Sequence, residues 1–385
     1  MTRLFNRPGI AAQMAQQLLK PGALDEGLRS GMFLSGLRRI GKSTFLVNDL
    51  IPALEQLGAI VIYVDLWTNT EVSPAVLVRE AVRKTLKAAA TAGSSFVRRF
   101  SRVSGMDAEA FGFKFGFSLD TVGEAEGTTL ADAFVSLVDL VKTDVVLIVD
   151  EVQHAITTDE GNNLLLALKA ARDAVNRRPG TPGYFLFVGT GSHRALVSEL
   201  TARRNQAFVG ATSLSFPVLG ADYVDHLFAR FATEVGQLVL PSRDVAVAGF
   251  HTLGNRPEEL LKAVRLLQQA PVGSDPDILF PVIAATLRST AADIELAKVE
   301  QIGGLAMAIF ERIAASDGDA KGVFSNDAAA EYSAAVGREV RVEEIQPVVN
   351  ELMAANVVMR RGHGLYGVTD PFVQEIWKEK KKLEE

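Results

Sequence analysis

Apolar residues recur along this chain in two rhythms. Between about Phe33 and Leu219, short runs with almost no polar position alternate with longer stretches whose apolar residues return every three or four positions. The short runs predict strands buried on both faces, the longer period predicts helices, and their alternation predicts a parallel sheet with crossover helices. The strand segments are GMFLSG ending at Gly36, AIVIYVDLW over 59–67, VVLIVD ending at Asp150, YFLFVGTGS ending at Ser192 and LSFPVL over 214–219. Between the second and third, AFGFKFGFSL over 110–119 places Phe111, Phe113, Phe115, Phe117 and Leu119 on one face. Strict alternation of this kind predicts a one-sided strand at a sheet edge or in a small hairpin.

Beyond Leu219 the strand signal fades and helical patterns dominate, as in EELLKAVRLLQQ from Glu258 and GLAMAIFERIAAS from Gly304. PVGSDPD over 271–277 separates helices, and a further boundary falls near 316–322. The last part reads as three helices and a hairpin. Ser325-Asn326-Asp327 offers an N-cap, 341–356 is an amphipathic helix interrupted by Pro347, VVMRRGHGLYGVTD is two strands about a Gly-containing turn, and Asp370-Pro371 caps a closing helix. The Pro predicts a kink or a late start of its helix. The expected organisation is an α/β core over 1–220, a helical region over 221–300 and a last unit of helices and a hairpin over 301–385.

Composition narrows the function classes. With 385 residues and 48% hydrophobic positions the chain can bury two or three cores, and 22% charged residues are ordinary for a globular protein. A formal charge of -6 argues against wrapping nucleic acid or an acidic membrane surface as a whole, and the absence of Cys excludes disulfides, thiol nucleophiles and thiolate metal sites. No leader-like start and no membrane-length apolar run are evident, so a cytoplasmic protein is expected. The His residues at 154, 193, 226, 251 and 363 form no i, i+4 pair, so no metal beyond Mg²⁺ is expected.

The sharpest chemistry lies in GLRRIGKST, where Gly36, Gly41, Lys42 and Ser43 satisfy G-x-x-x-x-G-K-[ST] between a strand and a helix. Such glycines let the backbone curl so that successive N–H groups face phosphate oxygens. Lys42 reaches the β and γ phosphates, Ser43 is placed to ligate Mg²⁺, and Thr44 either touches the α phosphate or is simply a helix residue. The strand VVLIVD then delivers Asp150 as metal carboxylate and Glu151 to activate water. Gln153 either orients that water or begins the next helix. At the end of the next strand, Thr190 and Ser192 are equal candidates for sensing the γ phosphate, and Arg256, ahead of Pro257, is either a second sensor reaching back from the lid or a surface Arg.

Two charge patterns bear on partners. Arg79, Arg83, Lys84, Lys87, Arg98, Arg99 and Arg102 stand against Glu80 alone, with Arg79, Arg83 and Lys87 on one helical face. That face is either solvated or a patch for nucleic acid or an acidic partner. In the helix that would read DNA, Glu343, Glu344 and Glu351 flank Gln346 and Asn350, and phosphates would be repelled.

Taken together, GLRRIGKST, DEVQ, the strand ending in GTGS, LSFPVL and the GNRP stretch resemble the archaeal-type ATPase family, a branch of the AAA+ and STAND P-loop ATPases related to origin-recognition proteins. Phe5-Asn6-Arg7 resembles the amino-terminal box that lies beside adenine in that family, and the tail ending GLYGVTDPFVQEIW resembles its winged helix. The resemblance implies ATP and Mg²⁺ as ligands, with Gly36, Leu37, Arg38, Arg39, Ile40, Gly41, Lys42, Ser43 and Thr44 as the phosphate loop. It also implies Asp150 on Mg²⁺, Glu151 as acid/base, and Arg256 and Pro257 in the lid. FVGATSL departs from the pattern, because Ala211 stands where an Arg is usual; Arg194, Arg203 or Arg204 would have to replace it. The expected function is a slow ATPase whose nucleotide state switches contacts with a protein partner or with its own copies. A DNA-binding loader or transposition and defence helper is an alternative, as is a nucleotide-bound scaffold that hardly hydrolyses.

Overall fold

The computed structural model describes residues 4–91, 94, 97, 116, 118–124, 126–202, 206–234, 238–362 and 364–384. The expected strand over 110–119 lies almost entirely outside the described residues, as do Arg98, Arg99, Arg102, Arg203, Arg204 and His363.

The chain begins with helix α1 (Pro8–Leu19), then β1 (Met32–Ser35). After the phosphate loop the backbone runs through α2 (Lys42–Phe45), a π turn at Leu46–Leu50, and α3 (Ile51–Gln56). The widening falls just ahead of Pro52, which has no N–H to give and whose ring presses on the carbonyl one turn back. Then follow β2 (Ile60–Asp65), α4 (Pro74–Ala90), α5 (Leu130–Val141), β3 (Val145–Asp150), α6 (Gln153–Ile156), α7 (Asp159–Asn176), β4 (Phe185–Gly191), α8 (Arg194–Ala202) and β5 (Thr212–Ser215).

These strands form one parallel sheet in the order β2-β3-β4-β1-β5. Alternation sorts its side chains to two cores. Val145, Leu147, Val149, Phe185 and Phe187 face α4, α5 and α7, whereas Val146, Ile148, Leu186 and Val188 face α1 and the helix after the phosphate loop. Burial on both faces holds for β3 and β4, as expected. The edges depart from the expectation: β2 alternates buried and half-buried positions, and β5 is mostly exposed. An edge strand has a neighbour on one side only, so its run of apolar residues need not be covered. The last strand also lies earlier than expected, at Thr212–Ser215, where the register with β1 pairs Thr212 with Met32.

Helices α9 (Ala221–Glu234), α10 (Arg243–Thr252), α11 (Pro257–Leu267) and α12 (Pro276–Ile302) come next, and the first three pack with the start of α12 around Phe250, Leu260 and Phe280. Asp275 caps α12, which runs unbroken across the boundary expected near 300. Its far end, Val299, joins a fourth core with α13 (Gly304–Ala315), α14 (Asn326–Val336) and α15 (Val342–Ala354). The antiparallel pair β6 (Val358–Gly362) and β7 (Leu365–Val368) and the closing helix α16 (Pro371–Glu384) complete it.

Local signals explain these ends. The Ser325 hydroxyl accepts from Ala328 N–H, and Asp370 accepts from Phe372 N–H, each satisfying a donor that helix geometry leaves free. Pro347 neither delays nor ends α15, which starts five residues before it. Among the described residues, no helix is long and apolar enough to cross a membrane.

Candidate nucleotide site

Parallel order brings the carboxyl ends of β1, β3 and β4 to one edge, where Gly36–Ser43, Asp150-Glu151 and Thr190–Ser192 meet. Two residues of the loop adopt left-handed backbone, Arg39 at φ 65° and Gly41 at φ 85°. Gly36 has a different reason to be Gly: a Cβ there would come within 2.7 Å of Ile40 Cδ1 and 3.0 Å of Phe216 Cβ. Lys42 is buried and its ammonium donates to the Gly36 carbonyl at 3.1 Å and the Leu37 carbonyl at 2.8 Å. Burial lowers its pKa, and the Glu151 and Asp150 charges oppose that shift. Ser43 and Thr44 follow it and are exposed.

Asp150 has no exposed surface, and both of its carboxylate oxygens accept hydrogen bonds. Oδ1 accepts from the Thr190 hydroxyl and, at 3.1 Å, from Glu151 N–H; Oδ2 accepts from the Tyr63 hydroxyl at 3.2 Å. Burial, with Asp150 next, raises the Tyr63 pKa, so the phenol keeps its proton and donates. Glu151 sits at φ 56°, strained for a residue with a Cβ, and this turns its side chain toward β4. There Oε2 accepts from Ser192 N–H at 3.1 Å, from the Ser192 hydroxyl at 2.8 Å and from Gln153 Nε2. Burial pushes the Glu151 pKa up, but the Gln153 and Ser192 hydrogen bonds and the Lys42 charge leave it below its ordinary value.

Both sensor candidates therefore have a place, and it is not the same one. Thr190 serves Asp150 and Ser192 serves Glu151. Gln153 both begins α6 and holds the Glu151 carboxylate, and Gly191 is Gly because a Cβ would lie 2.3 Å from Gln153 Oε1.

A pocket of about 170 Å³ opens beside the loop, lined by Phe5, Gly41, Thr44, Tyr223, His226 and Pro257 among others. The amino-terminal segment is locked there by Arg7, whose N–H donates to buried Asp49 at 2.9 Å. Its guanidinium lies over the Phe45 and Phe216 rings and donates to the Pro217 carbonyl at 2.6 Å. Pro257 thus reaches this pocket while Arg256 does not. Arg256 pairs with Asp370 of the carboxy-terminal unit at 2.6 Å instead of pointing at the phosphate loop, although both residues line a cleft of about 400 Å³ with Leu37, Arg38 and His193.

Other contacts join the same unit to the loop after β4. Leu196 N–H donates to His193 Nδ1, leaving Nε2–H to donate to the Ala354 carbonyl at 3.0 Å, and Arg194 donates to the Thr369 carbonyl at 2.6 Å. Ser198 donates to the Arg360 carbonyl at 3.0 Å. Arg194 is therefore occupied internally. Ala211 precedes β5 at the sheet end remote from the phosphate loop, since Thr212 bonds to Gly31.

The charge patterns resolve toward structure. Arg83 pairs with Glu124 at 2.6 Å, Lys87 with Asp120 at 2.5 Å and Arg79 with Glu160 at 3.6 Å, so the basic face of α4 is balanced by acids its own sequence neighbourhood lacks. On α15, Gln346 donates to Asn350 at 3.0 Å. Sequence reasoning missed Tyr63, Trp67 and the pairing of Trp67 Nε1 with His154. Nothing in a strand's alternation marks Tyr63 as polar-facing.

Sheet order, loop and paired carboxylates define the P-loop NTPase fold. Over nearly the whole chain, it is similar to a Walker-type ATPase of Pyrococcus abyssi, 16% identical, with 97% of this chain and 96% of that chain covered and a TM-score of 0.53. It is also similar to the ADP form of the Aeropyrum pernix ORC2 protein, 12% identical, with 98% and 97% covered and a TM-score of 0.51. The fold is that of archaeal origin-recognition-like P-loop ATPases. No family model matches the chain, and no curated protein matches it.

Proposed function

We propose that this chain binds Mg-ATP at the β1–α2 loop and hydrolyses it slowly, using the nucleotide state to switch the contacts of its lid and winged helix with a macromolecular partner. One observation carries the reading: Lys42, Asp150 and Glu151 converge at one sheet edge, with a hydroxyl from β4 on each carboxylate.

The donor set suits Mg²⁺, a hard cation that takes one or two protein oxygens and leaves the rest to phosphate and water. The exposed Ser43 hydroxyl and the Asp150 carboxylate are such oxygens. When bound, the ion neutralises phosphate charge. The chain's own residues do the rest. Loop N–H groups and Lys42, released from the Gly36 and Leu37 carbonyls, hold the phosphates. Phe5, Tyr223 and Pro257 bound the base pocket. Glu151, ionised because its hydrogen bonds outweigh its burial, takes a proton from the attacking water. It must first leave Ser192 and Gln153, which accounts for a slow basal rate.

Because Ser192 is followed by His193 and Arg194, any shift of that loop moves the contacts to Ala354 and Thr369. We divide the chain into an ATPase core to about 220, a lid to about 300 and a winged helix beyond. A protein partner is favoured over DNA, since Glu343, Glu344 and Glu351 flank the polar residues of α15 and the basic face of α4 is paired with acids. Isothermal titration with ATP and ADP in Mg²⁺ tests the reading. Saturable binding of both is expected, and no binding of either would overturn it.

A further inference from the structure

Hydrolysis at a P-loop is slow without a cation opposite the γ phosphate. Among the described residues, Arg194 is bound to Thr369, Arg256 to Asp370, Arg39 to Glu258 and Lys42 to loop carbonyls. Arg38 differs. It is exposed, it forms no hydrogen bond or ion pair among the described residues, and its guanidinium rests 5.0 Å from the centroid of the Trp67 ring. Cation–π contact at an exposed site is worth only about 0.5–1 kcal/mol, so this is a weak hold.

The sheet order fixes what lies beneath that side chain. Residue 38 follows β1 and Trp67 follows β2, with β4 and β3 between them. The contact between Arg38 and Trp67 therefore spans the ends of β4 and β3, which lead into Ser192 and Glu151. Burial lowers the pKa values of Lys42, His154 and His193, and the Arg38 charge lowers each further, which fits a cation suspended among all three. Trp67 is 44% exposed, unusual for Trp, and is itself anchored by His154.

Building on the ATPase reading above, we propose that Arg38 is an arginine finger carried in cis by the phosphate loop and parked on Trp67 until a γ phosphate draws it off. In the step it assists, the water oxygen bonds to the γ phosphorus and its proton passes to Glu151. The bond from phosphorus to the β–γ bridging oxygen breaks, and its electron pair stays on ADP. Arg38 donates to the equatorial oxygens on which charge accumulates, a role Ala211 cannot fill for its own site.

The test measures single-turnover ATP hydrolysis, nucleotide affinity and Trp67 emission, the last in a Trp377→Phe background so that Trp67 alone reports. Arg38 is exposed, so Arg38→Ala is expected to fold. It should lower the rate on the order of 10³-fold, while ATP affinity changes less than about tenfold, the scale of one exposed charge contact. Arg38→Lys should recover part of the rate. A non-hydrolysable ATP analogue should change Trp67 emission and ADP should not, and Arg38→Ala should remove that difference. Specific activity should not vary on dilution, because the cation is not borrowed.

Wild-type turnover in Arg38→Ala, equal emission responses to ADP and the analogue, or activity that falls on dilution would each overturn the cis finger. If such a chain still binds ATP and needs Glu151, the ATPase reading stands without it. If wild type binds no nucleotide, both fail.

Discussion

The rim of the sheet and the surface of α15 both carry polar side chains, and they spend them differently. At the rim, Thr190, Ser192, Gln153 and Tyr63 each aim a donor at one of two adjacent carboxylates beside the buried Lys42 ammonium. On α15, Gln346 and Asn350 bond to each other beside uncompensated Glu343 and Glu351, and the helix end faces His193 of the core. Donors gathered around two adjacent carboxylates fix both side chains at the rim, whereas one exposed amide–amide bond flanked by carboxylates fixes little. The difference separates a region whose polar groups converge on one point from one whose contacts with the rim run through backbone carbonyls.

The comparison breaks most severely if its scaffold does not behave as a core. Phe187 is fully buried on β4 and stacks on Phe208 with centroids 4.4 Å apart. Phe187→Ala should cost about 3–5 kcal/mol in a urea melt, whereas Gln346→Ala on α15 should change stability by under about 0.5 kcal/mol.

At the rim itself, Lys42→Ala removes a charge-assisted hold on phosphate worth about 1.5–3 kcal/mol, so ATP affinity should fall about ten- to a hundredfold by titration. Affinity equal to wild type would remove the loop from the account.

The link between the two regions is the next test. Arg256→Ala leaves Asp370 without its cation and should cost about 1–3 kcal/mol, read as faster hydrogen exchange over 354–370. Unchanged exchange would mean that the carboxy-terminal unit does not depend on the start of α11.

The smallest effect is a dependence on pH. The Glu151 pKa is depressed below 4.5 in the folded chain, so the stability it contributes is complete above that value and is lost as pH falls through the lower folded one. Glu151→Gln should therefore lose less stability than wild type between about pH 6 and pH 3 in parallel melts. Equal losses would mean that Glu151 is not held by Ser192.

The same contrast explains what could be read beforehand. The place of the Gly36–Ser43 loop after β1, that of the Asp150-Glu151 pair at the end of β3 and the buried strands β3 and β4 were legible because each depends on residues a few positions apart. Edge strands were misjudged because exposure depends on a missing neighbour, which no local pattern records. Arg256 and Asp370 lie 114 positions apart and Arg194 and Thr369 lie 175 apart, so neither partner was visible from the other. Arg83 with Glu124 shows the same limit at shorter range: a run of cations reads as a patch until the fold brings its acids.

The account rests above all on Glu151 as the group that activates water. Glu151→Gln keeps the side chain's shape and its place beside Ser192 but cannot take a proton. Single-turnover hydrolysis of ATP in Mg²⁺, measured beside binding of the same nucleotide, should show affinity within a few-fold of wild type and a rate lower by about 10²–10⁴-fold. Hydrolysis at the wild-type rate with ATP bound would contradict the assignment.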